Sequence, residues 1–166
     1  YEARQRPPTR VLDERVAYVL TDLLRSVVRP GGTAGFIEAS LDRPVAGKTG
    51  TTDELRDSWF VGYTPDLAAA VYVGYDHREK AAGSGGAVAA PIWLSFAKAA
   101  LSDVEQSDFR RPAGVIELSI CNETGLLSNP TCPARTELFI EGTQPAQLCP
   151  IWGWDQSHQW PAGPSP

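Results

Sequence analysis

The spacing of apolar residues predicts a helix near the start of the chain. Asp13 stands where a helix N-cap is expected, and the run 29–32 (RPGG) ends the pattern. Between them the apolar residues recur every three or four positions, which is typical of one helix face. They are Val16, Val19, Leu20, Leu23, Leu24, Val27 and Val28. The pattern predicts a surface helix that buries one face against a larger body.

Three apolar segments further along predict an antiparallel meander. They span residues 43–52, 58–63 and 67–75, and short polar turns join them. Strands joined by short turns are most simply antiparallel neighbours. A helix over 90–101, with Pro91 in its first turn, is expected to pack on the meander. Residues 33–41 fit no single pattern, and a short helix is one interpretation.

The amino-acid composition of the chain changes after Ser102, where Pro, Gly, Thr and Asn become frequent. We therefore predict a domain over 1–102, opened by a connecting segment at 1–12, and a loop-rich extension over 103–166. The chain contains no methionine and begins at Tyr1, so we expect it to be a piece of a longer protein.

Charge and hydropathy exclude some classes of partner. The net charge is -5 without a Lys/Arg cluster, which argues against nucleic acid. No segment approaches the apolar length that spans a bilayer. Only Lys48, Lys80 and Lys98 are lysines among the 15 basic residues, so the position of Lys48 is informative.

The three cysteines lie in the last third of the chain. An odd count leaves at least one thiol unpaired within the chain. The turn-rich segment between Cys132 and Cys149 could close a disulfide loop in an oxidising compartment, and three unrelated thiols, with Cys121 as the third, are the alternative. There is no Cys-x-x-Cys pair, and His77 and His158 are isolated, so we expect no metal ion. Nothing in the sequence calls for another cofactor.

Residues 45–52 (VAGKTGTT) carry the most chemistry in the chain. In a strand, Lys48 and Gly50 share one face and Thr49 and Thr51 the other. A positive charge, hydroxyl donors and backbone N–H groups suit a substrate with a carboxylate and a reacting carbonyl. The alternative is an edge strand that carries an ordinary solvated lysine.

Residues 44–52 (PVAGKTGTT) and 56–65 (RDSWFVGYTP) resemble the third-motif region of class A penicillin-binding proteins. The family's next strand and closing helix resemble residues 72–76 and 90–93, and the tail at 141–145 resembles its C-terminal extension loosely. This resemblance implies an α/β fold of the penicillin-binding-protein and β-lactamase type, with helices flanking an antiparallel sheet. The chain would supply only the C-terminal portion of that fold.

The resemblance also implies a reaction, in which a serine attacks the D-alanyl-D-alanine bond of a peptidoglycan stem peptide and a second strand's amine resolves the acyl-enzyme. Lys48 would favour the anionic substrate and tune proton transfer, and the Thr51 N–H would be an oxyanion donor. Stem peptides and β-lactam antibiotics would be the ligands. The implied catalytic residues are Lys48 and Thr51, and the implied substrate-binding residues are Thr49, Gly50, Thr51, Thr52 and Trp59.

The other two motifs of that family, Ser-x-x-Lys and Ser-x-Asn, do not occur before Lys48. The spacing Ser95-x-x-Lys98 lies downstream in a predicted helix, and we reject it as the nucleophile. We expect the serine on an N-terminal remainder of the same protein, so that this chain alone is inactive. An extracytoplasmic location, with a membrane anchor outside this chain, follows from the resemblance. Two alternatives stay open: a β-lactamase or DD-carboxypeptidase of the same fold, and a non-catalytic cell-wall binding or sensor module.

Some residues have two interpretations. Asp53, Glu54 and Asp57 are either paired carboxylates or solvated turn residues, and Asp57 could instead anchor the turn through Arg56 or a backbone amide. Trp59 lines a groove or enters the core, with Phe60 on the opposite face. Three tryptophans near the C-terminus either stack on sugar rings or pack the extension against the domain. They are Trp152, Trp154 and Trp160.

Overall fold

The computed structural model describes residues 9–76 and 83–151, which form two compact units that part between Pro112 and Ala113. The predicted boundary lay after residue 102. Side-chain contacts hold the segment that follows to the first unit. The Arg43 guanidinium donates to the carbonyls of Leu101, at 2.9 Å, and Val104.

The first helix, α1, spans Glu14–Arg25. The Asp13 carboxylate accepts from the backbone N–H of Arg15 at 2.9 Å, which confirms the predicted N-cap. Because the helix ends at Arg25, Val28 lies beyond it and is fully buried. Much of the apolar face of α1 stays exposed in this chain, so the predicted burial of that face is only partly met; the exposed residues are Val16, Leu20 and Leu23.

A three-stranded antiparallel sheet forms the centre of the first unit, as the sequence predicts. Its strands are β1 (Ala46–Thr51), β2 (Ser58–Tyr63) and β3 (Ala68–Val73), in the spatial order β1-β2-β3. A short helix, α2 (Ile37–Leu41), precedes the sheet, and one 3-10 turn over Asp53–Leu55 connects β1 to β2.

Helices lie against both faces of this sheet. On one face, Phe60 meets Trp93 of α3 (Ala89–Ala100) edge to face, with ring centroids 5.4 Å apart, and both are fully buried. On the other face, the Thr21 hydroxyl of α1 is 2.9 Å from the Tyr63 hydroxyl. The α/β architecture expected from the resemblance is confirmed.

The second unit contains a two-stranded antiparallel sheet, of β4 (Val115–Cys121) and β5 (Ala134–Ile140). The sequence predicts a loop-rich extension without strands over residues 103–166, and these two strands correct that prediction. Apolar Ile116, Leu118 and Ile120 alternate with polar Glu117 and Ser119, but the turn-rich flanks obscure this period-two pattern.

Three buried cysteines form the core cluster of the second unit, with Ile151 packed on them. Burial raises the pKa of the Cys121 thiol, but hydrogen bonds from the Thr124 side chain and from the backbone of Thr124 and Glu123 outweigh it and lower that pKa to about 6. Burial raises the pKa of Cys132. No disulfide joins the three in this structure.

Across the part of the chain that the structure describes, no helix is long and apolar enough to cross a bilayer. The expectations for residues 1–8 and for five side chains lie outside the described residues. These side chains are His77, Trp152, Trp154, His158 and Trp160.

Candidate active-site strand

The strand β1 is at the edge of the sheet and, among the described residues, pairs only with β2. The register places Lys48 opposite Val61 and Gly50 opposite Trp59. Directly opposed residues point to the same face of an antiparallel pair. Lys48 and Gly50 therefore share one face, and Thr49 lies on the other with Phe60, as predicted.

The face that carries Lys48 is exposed to solvent around Lys48 and Trp59, beyond its contact with α1. The Lys48 ammonium donates to the Thr49 carbonyl at 3.0 Å. Trp59 is 42% exposed and its ring lies 4.7 Å from that of Tyr72, so the interpretation of Trp59 as a core residue is wrong and Phe60 enters the core instead. A Cβ at Gly50 would come within 3.1 Å of the Trp59 Cβ, so the indole leaves little room for a side chain at that position.

The opposite face brings together four polar groups. The hydroxyl oxygens of Thr49 and Thr33 are 2.8 Å apart. The Thr51 hydroxyl oxygen accepts from the backbone N–H of Gly85 at 3.0 Å. A hydroxyl has one proton and two lone pairs, so Thr51 can still donate its proton to an anion.

Sequence reasoning did not identify Thr33 and Gly85. Both lie in glycine-rich stretches, at 31–35 (GGTAG) and 83–86 (GSGG), and glycine often marks a place where backbones approach closely. This signal was present in the sequence, but it does not tell which strand the loops approach.

The loop 83–86 lies directly against the sheet. A Cβ at Gly85 would be 2.3 Å from the Trp59 carbonyl oxygen and 2.5 Å from that of Gly50. The Ser58 hydroxyl donates to the Gly83 carbonyl at 2.7 Å. The loop therefore forms a wall beside the hydroxyls of β1, and only a residue without a Cβ fits at its closest point.

The turn after β1 is organised by Asp57. Its carboxylate accepts from the Thr52 hydroxyl at 3.1 Å and from the Tyr72 hydroxyl at 2.8 Å, and the Asp57 N–H donates to Thr52 at 2.9 Å. The hydrogen bond to Asp57 raises the pKa of Tyr72. Asp57 therefore anchors the turn, but its carboxylate bonds to two hydroxyls rather than to Arg56 or a backbone amide as predicted. The Thr52 hydroxyl has its proton engaged within the turn, whereas Glu54 pairs with Arg56.

Ser95 lies on the exposed side of α3, and its hydroxyl donates to the Pro91 carbonyl at 3.1 Å. A serine that bonds to the carbonyl four residues earlier is ordinary in a helix. Among the residues that the structure describes, Ser95 has no further side-chain hydrogen-bond partner of the kind that activates a nucleophile.

Two family models match this chain. The penicillin binding protein transpeptidase domain matches residues 1–98, and the penicillin-binding protein 1A C-terminal domain matches residues 111–153. The chain belongs to the penicillin-binding protein transpeptidase family. Within that family it corresponds to the C-terminal part of a class A penicillin-binding protein, which confirms the resemblance seen in the sequence.

The relatives are much longer than this chain. It is 39% identical over 141 residues to penicillin-binding protein 1A of Aquifex aeolicus, which covers 84% of this chain and 19% of the relative. For the Pseudomonas aeruginosa protein of the same name the identity is 38% over 145 residues, covering 84% and 17%. The crystal structure of penicillin-binding protein 1A from Haemophilus influenzae matches with a TM-score of 0.74 and 31% identity, over 84% of this chain and 22% of that one. The chain thus spans about a fifth of the length of these proteins.

Proposed function

We propose that this chain supplies the substrate-binding strand of a peptidoglycan D-alanyl-D-alanine transpeptidase. The nucleophilic serine would lie on the N-terminal remainder of the same protein, and this chain alone would be inactive. The observation that carries the proposal is the edge strand β1, whose Lys48-Thr49-Gly50-Thr51 run has one side without a partner strand among the described residues. Membership of the transpeptidase family supports it.

An edge strand offers unpaired backbone groups to an extended peptide, which is a common mode of peptide recognition. A stem peptide that lies along β1 would place its terminal carboxylate near the threonine hydroxyls. The Gly85 N–H already occupies one lone pair of the Thr51 oxygen, which leaves the Thr51 proton available for that carboxylate. Gly50 keeps the strand narrow beside Trp59, which would contact the ligand from the opposite face.

Electrostatics favour the same orientation. Lys48 is exposed and carries a positive charge on the same strand edge, on the face opposite the threonine hydroxyls. It would attract the anionic peptide and stabilise the negative charge that develops during acyl transfer. Thr52 would contribute through its backbone, since its hydroxyl is used in the turn with Asp57.

The reaction follows from these groups and a serine from outside the chain. The serine oxygen attacks the carbonyl of the penultimate D-alanine, the terminal D-alanine leaves with a proton, and an amine of a neighbouring peptide then displaces the serine. The Thr51 N–H would stabilise the oxyanion together with the N–H of that serine. Loss of one such donor costs about 100- to 1,000-fold in rate. Peptidoglycan lies outside the cytoplasm, so the site would face that side, held by a membrane anchor outside this chain.

Fluorescent penicillin tests the proposal in the full-length protein. We expect covalent label on a serine outside this chain, and a slowing of about 100-fold or more for Lys48→Ala. Lys98→Ala is the matched control, because Lys98 is an exposed lysine on α3 of the same unit.

Four results would contradict the proposal. Label on a peptide of this chain would place the nucleophile here, and a wild-type acylation rate in Lys48→Ala would remove the role given to that residue. Rapid release of the acyl group in water would favour a β-lactamase or carboxypeptidase. Complete absence of label would favour a binding or sensor module.

A further inference from the structure

Three sulfurs meet inside the second unit, away from the transpeptidase strand in sequence. Cys121 is the last residue of β4, Cys132 precedes β5, and Cys149 follows a short bridge between Leu127 and Leu148. Their Sγ atoms all lie within 4.8 Å of one another, and the three residues are at most 8% exposed. The lack of a Cys-x-x-Cys pair gave reason to expect no metal ion, but the fold brings the thiols together from separate segments.

The spacing suits a shared ligand. Zinc–thiolate bonds of about 2.3 Å place two sulfurs of a tetrahedral site about 3.8 Å apart, so a contraction of at most about 1 Å would close the cluster on one ion. A disulfide joins two sulfurs at about 2.05 Å and would leave the third thiol alone in the same core. The convergence of three sulfurs is therefore better matched by a metal ion than by a single disulfide.

A backbone donor already points at the cluster. The Asn129 N–H donates to the Cys132 sulfur at 3.3 Å. Such outer bonds orient thiolate ligands and compensate their charge in a buried site. An apolar core of three unrelated thiols has no need of them.

Asn129 connects the segments that carry Cys132 and Cys149. Its side-chain oxygen accepts from the Cys132 N–H at 3.1 Å, and its amide donates to the carbonyls of Cys149, at 3.0 Å, and Ile151, at 2.6 Å. The side chain is only 6% exposed, and its polar atoms are engaged in fixing these backbones. This one residue therefore holds Cys132 and Cys149 at a fixed separation.

We propose that Cys121, Cys132 and Cys149 bind one thiophilic divalent metal ion of the zinc class. Each thiol would release its proton to solvent on binding. Within residues 9–76 and 83–151, no further His, Cys, Asp or Glu side chain joins the cluster, so the fourth position is left to a ligand from outside these residues. The role of the ion is structural, because a unit this small, whose core cluster consists of cysteines, gains folding stability from a bound metal ion.

Metal content of the full-length protein tests the site. Protein purified without reductant or chelator should contain one zinc ion per chain by plasma mass spectrometry. Cobalt substitution should give a sulfur-to-metal charge-transfer band. Competition with a chromophoric chelator, using zinc alone, should show that Cys121→Ser weakens binding by more than about 100-fold and Asn129→Ala by about 10- to 100-fold.

Ser128→Ala is the matched control, because Ser128 bonds to the Ser119 hydroxyl at 2.7 Å within the same unit and has no hydrogen bond to a sulfur. It should leave zinc affinity unchanged. Because cysteine variants can fail to fold, wild-type protein provides a second measurement. Removal of zinc by a chelator should make three thiols reactive and lower the Tm of the second unit.

Two results would overturn the proposal. One is metal-free protein in which three thiols react before any chelator is added. The other is a mass lower by two hydrogens with a single reactive thiol, which identifies a disulfide. Neither readout uses penicillin, so this inference stands or falls independently of the proposed transpeptidase reaction.

Discussion

Replacement of Gly85 by alanine tests whether the loop 83–86 positions the hydroxyls of β1. The new Cβ would lie 2.3 Å from the Trp59 carbonyl oxygen and 2.5 Å from that of Gly50. Both neighbours are sheet backbone, which cannot rotate away as a side chain would. The loop therefore has to retreat.

The size of the retreat follows from the contact distances. Ordinary carbon–oxygen contacts begin at about 3.3 Å, so the loop must move by about 1 Å. The hydrogen bond from the Gly85 N–H to the Thr51 oxygen, now 3.0 Å, would lengthen beyond bonding distance. A misplacement of about 1 Å near a reacting centre can cost about 100-fold in rate.

The assay is the second-order rate of acylation of the full-length protein by fluorescent penicillin, together with its Tm. We expect a fall of about 100-fold for Gly85→Ala. Gly83→Ala is the matched control, because its Cβ would meet only side chains, with Val88 Cγ2 nearest at 3.3 Å. Both variants replace a loop glycine by alanine, so they restrict the unfolded chain alike.

The reasoning fails if Gly85→Ala acylates at the wild-type rate, because the close contacts would then not constrain the site. It also fails if Gly83→Ala slows acylation equally. In that case any change in the loop, rather than the contact with β1, would explain the loss.

Two further predictions concern the sheet. Phe60→Ala should destabilise the protein by about 3–5 kcal/mol in thermal unfolding, because Phe60 is fully buried against Trp93. The control is Phe96→Ala, which should cost much less because Phe96 is half-exposed. Equal losses of stability in the two variants would contradict the assigned core. Asp57→Asn should lower the pKa of Tyr72, measured by NMR of labelled tyrosine, since the hydrogen bond to the carboxylate raises it. The Tyr72–Asp57 hydrogen bond stabilises the fold at pH values below the ordinary tyrosine pKa, and this stabilisation is lost as the pH rises through the raised pKa. An unchanged Tyr72 pKa in Asp57→Asn would refute Asp57 as the partner.

The first unit could be predicted from local pattern to a large extent. The helix that Asp13 caps, the three strands and α3 all appear near their predicted positions, because each has a clear period and a turn signal at its ends. The last strand pair was missed, since turn residues on both sides masked its alternation.

The site followed from the sequence only where residues are neighbours in the chain. Strand geometry alone separates Lys48 from Thr49 by face, and the structure agrees. Thr33 and Gly85 reach β1 from 16 and 34 positions away in the sequence, and no local pattern encodes such a pairing. For Trp59 and Phe60, period two predicts opposite faces of the strand without saying which side chain is buried.

The sequence by itself determined the family, the strand that carries its chemistry, and the order of elements around it, because these depend on residue types at short spacing. Only the tertiary structure decided that the loop 83–86 abuts β1, that Phe60 rather than Trp59 enters the core, and that Cys121, Cys132 and Cys149 converge. Each of these depends on packing between segments far apart in the chain. The geometry of such contacts is set by the whole fold, and composition and period describe only the segments.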